Sequence, residues 1–236
     1  MHVLSVVEEP CNSIWFFRGH RRPYGVCFVG VGRSMIEHDG YWYPFMNEVA
    51  SHNLGHGNTM ENALDLVKDW SVAIDGGAQI GRVANRLAEK FEKVYAVEIA
   101  TENYECLVKN KKPNVIPIHG CLGVFGRGYS YKYEPDKHPE SPVYRTINDR
   151  GPAPGIRIDE LGLQSCGFIK LDLQGYDYYA LLGADHTLRR FKPVLYFEYD
   201  PSCFERYGVH KNAHEIFLTA LGYRYHGTDD GNQIWA

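Results

Sequence analysis

No Cys-x-x-Cys pair occurs among the six cysteines, which stand at positions 11, 27, 106, 121, 166 and 203. The spacing therefore suggests no zinc site, and a chain of 236 residues that can bury a large core has little need of a disulfide framework. Excess positive charge is missing as well: 25 Lys and Arg stand against 29 Asp and Glu, a formal net charge of −4. That balance disfavours a protein that works chiefly by neutralising nucleic-acid phosphate. The small basic cluster of Arg18, His20, Arg21 and Arg22 reads as a solvated loop. No run approaches the roughly twenty apolar residues of a membrane span. The short apolar stretch within Met1 to Glu9 has no basic leader. Repeats and low-complexity tracts are also lacking. The expectation is a cytoplasmic protein with reduced thiols and no membrane partner.

One more absence narrows the ligand. The Gly-x-Gly-x-x-Gly fingerprint of dinucleotide binding does not occur in Val72-Ala-Ile-Asp-Gly-Gly-Ala-Gln-Ile-Gly81, but Asp75, Gly77 and Gly81 fit Asp-x-Gly-x-x-x-Gly. That spacing suits S-adenosyl-L-methionine. Glycine lets the backbone approach a ligand and turn sharply into a helix, and Asp75 offers an acceptor for a cofactor that carries an ammonium and a sulfonium. A phosphate loop would end in Lys-Ser/Thr, whereas Gly81 is followed by Arg82-Val83. An ordinary tight turn is the plainer alternative. Against it stands the next strand, Lys93 to Glu98, which is apolar and closes on a carboxylate able to accept from both ribose hydroxyls. Glu98, with Ile99 beside it, is the best single ligand contact.

The order of elements predicts an α/β chain with a mainly parallel sheet and helices on both faces. Strands are expected at Val72, at Lys93 to Glu98, at Asn114 to His119, at Gly167 to Asp172 and at Pro193 to Glu198. Helices are expected over Arg82 to Phe91, Glu102 to Asn110 and about Tyr176 to Arg190. A helix over Ala213 to Leu221 and a closing hairpin, Tyr223 to Tyr225 and Gln233 to Trp235, follow. Residues 1–69 form an N-terminal extension, with strands at Val26 to Val31 and Tyr41 to Phe45 around the turn Glu37 to Gly40 and a lead-in helix over Asn62 to Trp70. Residues 70–236 form the cofactor domain, with an insertion at about Leu122 to Gly155 rich in Gly, Pro and Tyr. So long an insertion suggests either an acceptor lid or a solvent-exposed hairpin. His52 and His56 are four apart, but Gly55 and Gly57 weaken the helix a metal pair would need.

Taken together, Ala73 to Gly81, Val97-Glu98, Ile158 to Leu161, Phe168 to Asp177, Leu182 to Ala184 and Pro193 to Glu198 resemble the FkbM-type S-adenosylmethionine-dependent methyltransferases. The likeness covers roughly residues 70 to 200. Two departures stand out: Gly76 and Gln79 replace residues of the usual Asp-Val-Gly-Ala-Asn-Ile-Gly, and Gln174 replaces a carboxylate of the usual Asp-x-Glu-Gly-x-Glu. The resemblance implies a Rossmann-like, seven-stranded mostly parallel sheet of order 3-2-1-4-5-7-6. It also implies methyl transfer to a hydroxyl of a small-molecule or carbohydrate acceptor.

An alcohol acceptor must lose a proton, which asks for a general base. Asp172, ending the fourth strand, ranks first and also as a cofactor contact; Glu198, ending the fifth, ranks second. His138 lies in the insertion and reads as solvated. Asp172 with Glu198 or Asp200 offers oxygen ligands for Mg²⁺. The cofactor set is Asp75, Gly76, Gly77, Gln79, Gly81, Glu98, Ile99 and Asp172, joined by His119, Gly120 and Cys121, where enzymes of this class contact adenine. Two alternatives are a nucleic-acid methyltransferase, whose Asp/Asn-Pro-Pro-Tyr/Phe loop is replaced here by Asp172-Leu173-Gln174-Gly175, and a non-catalytic scaffold, which Gln174 keeps open.

Overall fold

The computed structural model describes residues 14–18, 23–28, 34–44, 60–124, 128–133, 145–229 and 231–236. His20, Arg21, Arg22, His52, His56 and His138 lie outside them.

The chain begins with an antiparallel sheet, β1 (Ile14–Arg18), β2 (Pro23–Phe28), β3 (Ser34–His38) and β4 (Tyr41–Pro44), paired in sequence order. Asp39 and Gly40, both at positive φ, make the two-residue turn between β3 and β4, the geometry that matches the twist of a hairpin. Asn110 fastens this sheet to the rest of the protein. Its side chain accepts from Trp42 N at 2.7 Å and donates to Trp42 O and Ile80 O, both at 2.9 Å.

The expected lead-in helix is shorter than its periodicity suggests: α1 covers Glu61–Leu64. Leu66 and Val67 bond back to Ala63 and Leu64 in a tightened turn, and the Asp69 carboxylate accepts from Ser71 N, drawing the chain into the first core strand. There follow β5 (Val72–Gly76), α2 (Arg82–Leu87), β6 (Lys93–Glu98), α3 (Thr101–Asn110), β7 (Val115–His119), β8 (Cys121–Leu122), β9 (Gly128–Tyr133) and β10 (Arg145–Ile156). A 3₁₀ turn at Ile158–Leu161 precedes β11 (Phe168–Leu171), α4 (Asp177–Leu182), α5 (Asp185–Phe191), β12 (Val194–Glu198), α6 (Pro201–Arg206), α7 (Ala213–Ala220), β13 (Tyr225–Asp229) and β14 (Asn232–Trp235).

Seven strands form the central sheet in the order β13-β14-β12-β11-β5-β6-β7. The neighbours from β12 to β7 run parallel, while β14 is antiparallel to both β12 and β13. Both faces are buried. Val72, Ile74, Leu171, Leu195 and Phe197 pack on one side, and Ala73, Phe168, Val194 and Tyr196 on the other. This is why the strands read as continuous apolar runs rather than alternations.

One expectation is corrected. The helix expected over Tyr176 to Arg190 is two helices, because Gly183 packs against the Gly123 backbone and Asp159 caps the second, accepting from His186 N at 3.1 Å and Thr187 N at 2.9 Å. In the described part of the insertion β9 and β10 pair antiparallel, β10 also pairs with β8, and Tyr129 is fully buried against Tyr176. Among the described residues, no helix is long and apolar enough to cross a membrane.

Candidate active site

At the carboxyl ends of β5 and β11 a buried lysine meets a buried aspartate. Register places Asp75 beside Lys170, and the Lys170 ammonium lies 3.0 Å from Asp75 Oδ1 while donating to Gly76 O and Gly77 O at 3.3 and 3.2 Å. Burial alone would lower the Lys170 pKa, but the Asp75 and Asp172 carboxylates outweigh it and the pKa is raised. Lys170 therefore stays charged. Asp75 is 0% exposed, so the acceptor expected for the cofactor is spent on an internal cation and does not reach the cleft. Asp75, expected as a ligand contact, is not among the residues that line the cleft described next.

Gly77 sits at φ +74°, and a side chain there would run into the Asp172 carbonyl. The loops leaving β5 and β11 touch at this point, which brings Asp172 to the edge of a narrow cleft of about 50 Å³. Of the residues expected at the cofactor, Gly77, Gln79, Glu98, Ile99 and Asp172 line this cleft. Glu98 is held on both oxygens: Oε2 accepts from Gln79 N at 2.8 Å and Oε1 from Ala100 N at 2.7 Å. A carboxylate has about four lone-pair sites, so acceptor capacity remains for ligand hydroxyls.

The other expected residues lie elsewhere. Gly76 is packed between Leu122 and Leu171, and Gly81 opens α2 against Leu107. His119 stacks on Tyr104 and engages Ile99 O at 3.1 Å and Thr101 Oγ1 at 3.3 Å. Gly120 abuts Ile156 and Pro154. Cys121 is buried in the core, where burial raises its thiol pKa. Four residues that sequence reasoning missed line the cleft instead: Asn103, Ile147, Leu173 and Gln174. Ile147 belongs to the insertion, and its N–H donates to Tyr207 Oη at 3.0 Å. Through Ile147 the described part of the insertion lines the cleft where the cofactor was expected.

The turn after β11 is organised by Asp177, whose two oxygens accept from Leu173 N and Gly175 N at 3.1 Å each. Gln174, at φ +55°, projects its amide between two carboxylates, with Nε2 3.0 Å from Asp172 Oδ1 and 3.3 Å from Glu198 Oε2. Burial first, then the charges of Asp172 and Asp177, pushes Glu198 up to about 8. Burial and Asp172 likewise push Asp177 up to about 7. Two close carboxylates ionise together only at high cost, so the pair as a unit holds on to a proton more tightly than a lone carboxylate does.

The Mg²⁺ reading finds no support in this arrangement. An amide donor occupies the space between Asp172 and Glu198, and Asp200 is engaged as the cap of α6, accepting from Ser202 N at 2.8 Å and Ser202 Oγ at 2.7 Å. Among the described residues, no group of three or more His, Cys, Asp or Glu is placed to hold a metal.

Asp172 and Glu198 also face a second cleft, of about 470 Å³, completed by Tyr199, Asp200, Pro201, Gly231 and Asn232. Asp172 is common to both clefts.

A family model of the methyltransferase FkbM domain matches residues 75–225, well over half of the chain. The chain belongs to the FkbM methyltransferase family. Among solved structures, this FkbM chain is similar to methyltransferase FkbM from Methylobacillus flagellatus KT, with 18% identity, 72% of this chain and 45% of that one covered, and a TM-score of 0.47. It is also similar to precorrin-6y C5,15-methyltransferase from Geobacter metallireducens GS-15, with 13% identity, coverage of 77% and 87%, and a TM-score of 0.42. The third is TYW2 from M. jannaschii, in complex with AdoMet, with 15% identity, coverage of 88% and 85%, and a TM-score of 0.39. The chain spans less than half the length of the Methylobacillus structure. Among curated proteins, none matches.

Proposed function

We propose that this FkbM-family protein is an S-adenosylmethionine-dependent methyltransferase acting on a hydroxyl of a small polar acceptor such as a sugar, with residues 70–236 as the transferase domain and 1–69 as an extension. The observation that carries this reading is that two clefts meet at one carboxylate, Asp172. Family membership supports the methyl-transfer chemistry.

The first cleft suits the cofactor. Its lining joins the apolar side chains of Ile99, Ile147 and Leu173 to the carboxylates of Glu98 and Asp172, the mix of apolar wall and few polar groups that small-molecule sites use. Glu98 would accept from the ribose hydroxyls, and Asp172 would face the cationic end. When bound, S-adenosylmethionine supplies an activated methyl group for in-line displacement. The protein aligns the reacting groups and excludes water. The Ile147 strand supports the latter by lining the cleft.

The second cleft is lined by the carboxyls of Asp172, Glu198 and Asp200 together with Asn232 and Tyr199, groups that accept hydrogen bonds from a polyhydroxylated molecule and repel phosphate. Asp172, the carboxyl common to both clefts, is placed to take the acceptor's hydroxyl proton, with Glu198 beside it sharing the charge of the pair.

Incubation with methyl-labelled S-adenosylmethionine and a panel of sugars and polyols tests the assignment. Label on a hydroxyl oxygen is expected, whereas label on oligonucleotides, or cofactor binding without transfer to any acceptor, overturns it. Glu98→Ala is expected to weaken S-adenosylhomocysteine binding by about 2–3 kcal/mol, the worth of two hydrogen bonds to an ionised acceptor; unchanged calorimetric affinity would remove Glu98 from the site. Asp172→Asn is expected to slow turnover about a hundredfold with a smaller loss of cofactor affinity. A parallel fall in both would make Asp172 a binding residue only.

A further inference from the structure

We propose that Gln174 is a positioning residue that holds the Asp172 and Glu198 carboxyls side by side at the acceptor cleft by giving one amide hydrogen to each. The inference rests on the reading of that pair as the proton acceptor, and it adds the group that keeps the pair in place.

The geometry begins with the donor. A side-chain amide nitrogen has two hydrogens and no acceptor capacity, and the two contacts of Gln174 Nε2, at 3.0 Å and 3.3 Å, use both hydrogens on carboxylate oxygens from different strands. Asp172 follows β11 and Glu198 ends β12, so the amide ties the ends of two adjacent parallel strands. A serine or threonine hydroxyl has one hydrogen and could satisfy one of the two.

The backbone is bent to bring the amide there. Gln174 is left-handed at φ +55°, which costs a residue with a Cβ about 1–2 kcal/mol. Asp177 fixes that conformation by accepting from the N–H groups on either side of Gln174, at Leu173 and Gly175. Strained backbone that the surroundings hold in place at a cleft is a mark of a working position.

The charges explain why a two-headed donor is useful here. Glu198 faces Asp172 and Asp177 from the turn and helix after β11, and Lys170 from β11 itself. Tyr199 and Asp200 follow it and line the same cleft. The Lys170 ammonium opposes the carboxylates but is already paired with Asp75. Asp172 also hydrogen-bonds to Glu198 directly, and the two repel whenever both are ionised. Donation to both stabilises the charged forms and keeps the oxygens converged on the acceptor cleft.

The test is a carboxyl titration of the full chain by NMR, with the glutamate side chains ¹³C-labelled and Glu198 assigned by its loss in E198Q. The wild-type Glu198 midpoint is expected near 8. Gln174→Met keeps the length and removes both hydrogens; it should raise the midpoint by about one pH unit, the worth of a charge-assisted hydrogen bond. Gln174→Glu, adding a third carboxylate, should raise it further. A Gln174→Met midpoint at or below the wild-type value overturns the proposal, as does a Gln174→Glu midpoint that does not exceed wild type. If both variants fail to fold, the ¹⁵N-labelled side-chain amide of Gln174 in the wild-type protein decides. Slow exchange of both hydrogens, with shifts that follow the Glu198 titration, supports the proposal, and rapid exchange of either overturns it. Failure of the wild-type protein to bind S-adenosylhomocysteine would sink the cofactor reading and leave these titrations standing; an unmoved midpoint would sink the role of Gln174 and leave cofactor binding standing.

Discussion

Lys170→Met is expected to destabilise the protein by about 3–5 kcal/mol, the cost of leaving one partner of a buried ion pair unpaired. Lys170 is 2% exposed and Asp75 is 0% exposed, so water cannot replace the lost ammonium. The same substitution frees Gly76 O and Gly77 O, which accept from the lysine at the start of the glycine turn. It also strips Asp172 and Asp177 of a compensating cation. Urea denaturation measures the loss directly, as a fall in midpoint at unchanged slope. The double variant Asp75→Asn/Lys170→Met should recover most of it, because removing both charges of a buried pair is often neutral. A single variant that loses less than about 1 kcal/mol, the scale of an exposed pair, would mean that Asp75 and Lys170 do not depend on one another.

The second large effect is expected at Gly77. Substitution by alanine meets two obstacles: the backbone is at φ +74°, and the new methyl would collide with the carbonyl of Asp172, a backbone atom with no freedom to swing aside. Gly162 separates the two. It is also at positive φ, +65°, but a methyl there meets nothing within 4 Å. Gly162→Ala should cost about 1–2 kcal/mol, the conformational term alone. Gly77→Ala should cost about 3–5 kcal/mol, within the range reserved for strained or overpacked sites. It should also abolish measurable S-adenosylhomocysteine binding, because it separates the two loops that frame the cofactor cleft. Equal losses at the two glycines would show that the contact between the loops has no role.

Both predictions concern residues whose importance was unevenly visible in the sequence. The strand runs ending in acids were legible because a sheet buried on both faces demands unbroken apolar stretches; the observed strands at Val72–Gly76, Lys93–Glu98 and Val194–Glu198 follow them closely. Glu98 was legible for the same reason, since it ends such a run beside a glycine turn. Lys170 left a signal that was passed over: a charged residue inside Phe168–Leu171, an otherwise wholly apolar strand. A lysine there has to find a buried anion, and Asp75 is the acid in the neighbouring strand at that register. The split of the long helix at Gly183 left a glycine as its trace but no hint of the Gly123 backbone pressed against it.

Sequence alone settled the alternation of apolar strands and helices, the acid-ended strands and the family pattern, because each depends on neighbours within a few residues. It did not settle which acids face the ligand. Asp75 and Glu98 end adjacent strands and look alike in one dimension, yet one is neutralised from within by Lys170 and the other opens on a cleft. The same holds for Gln174, which reads as a carboxylate lost and is found as the donor between two carboxylates. Such choices rest on strand register, on burial and on which cation or amide arrives from elsewhere in the chain, and only the folded arrangement brings those together.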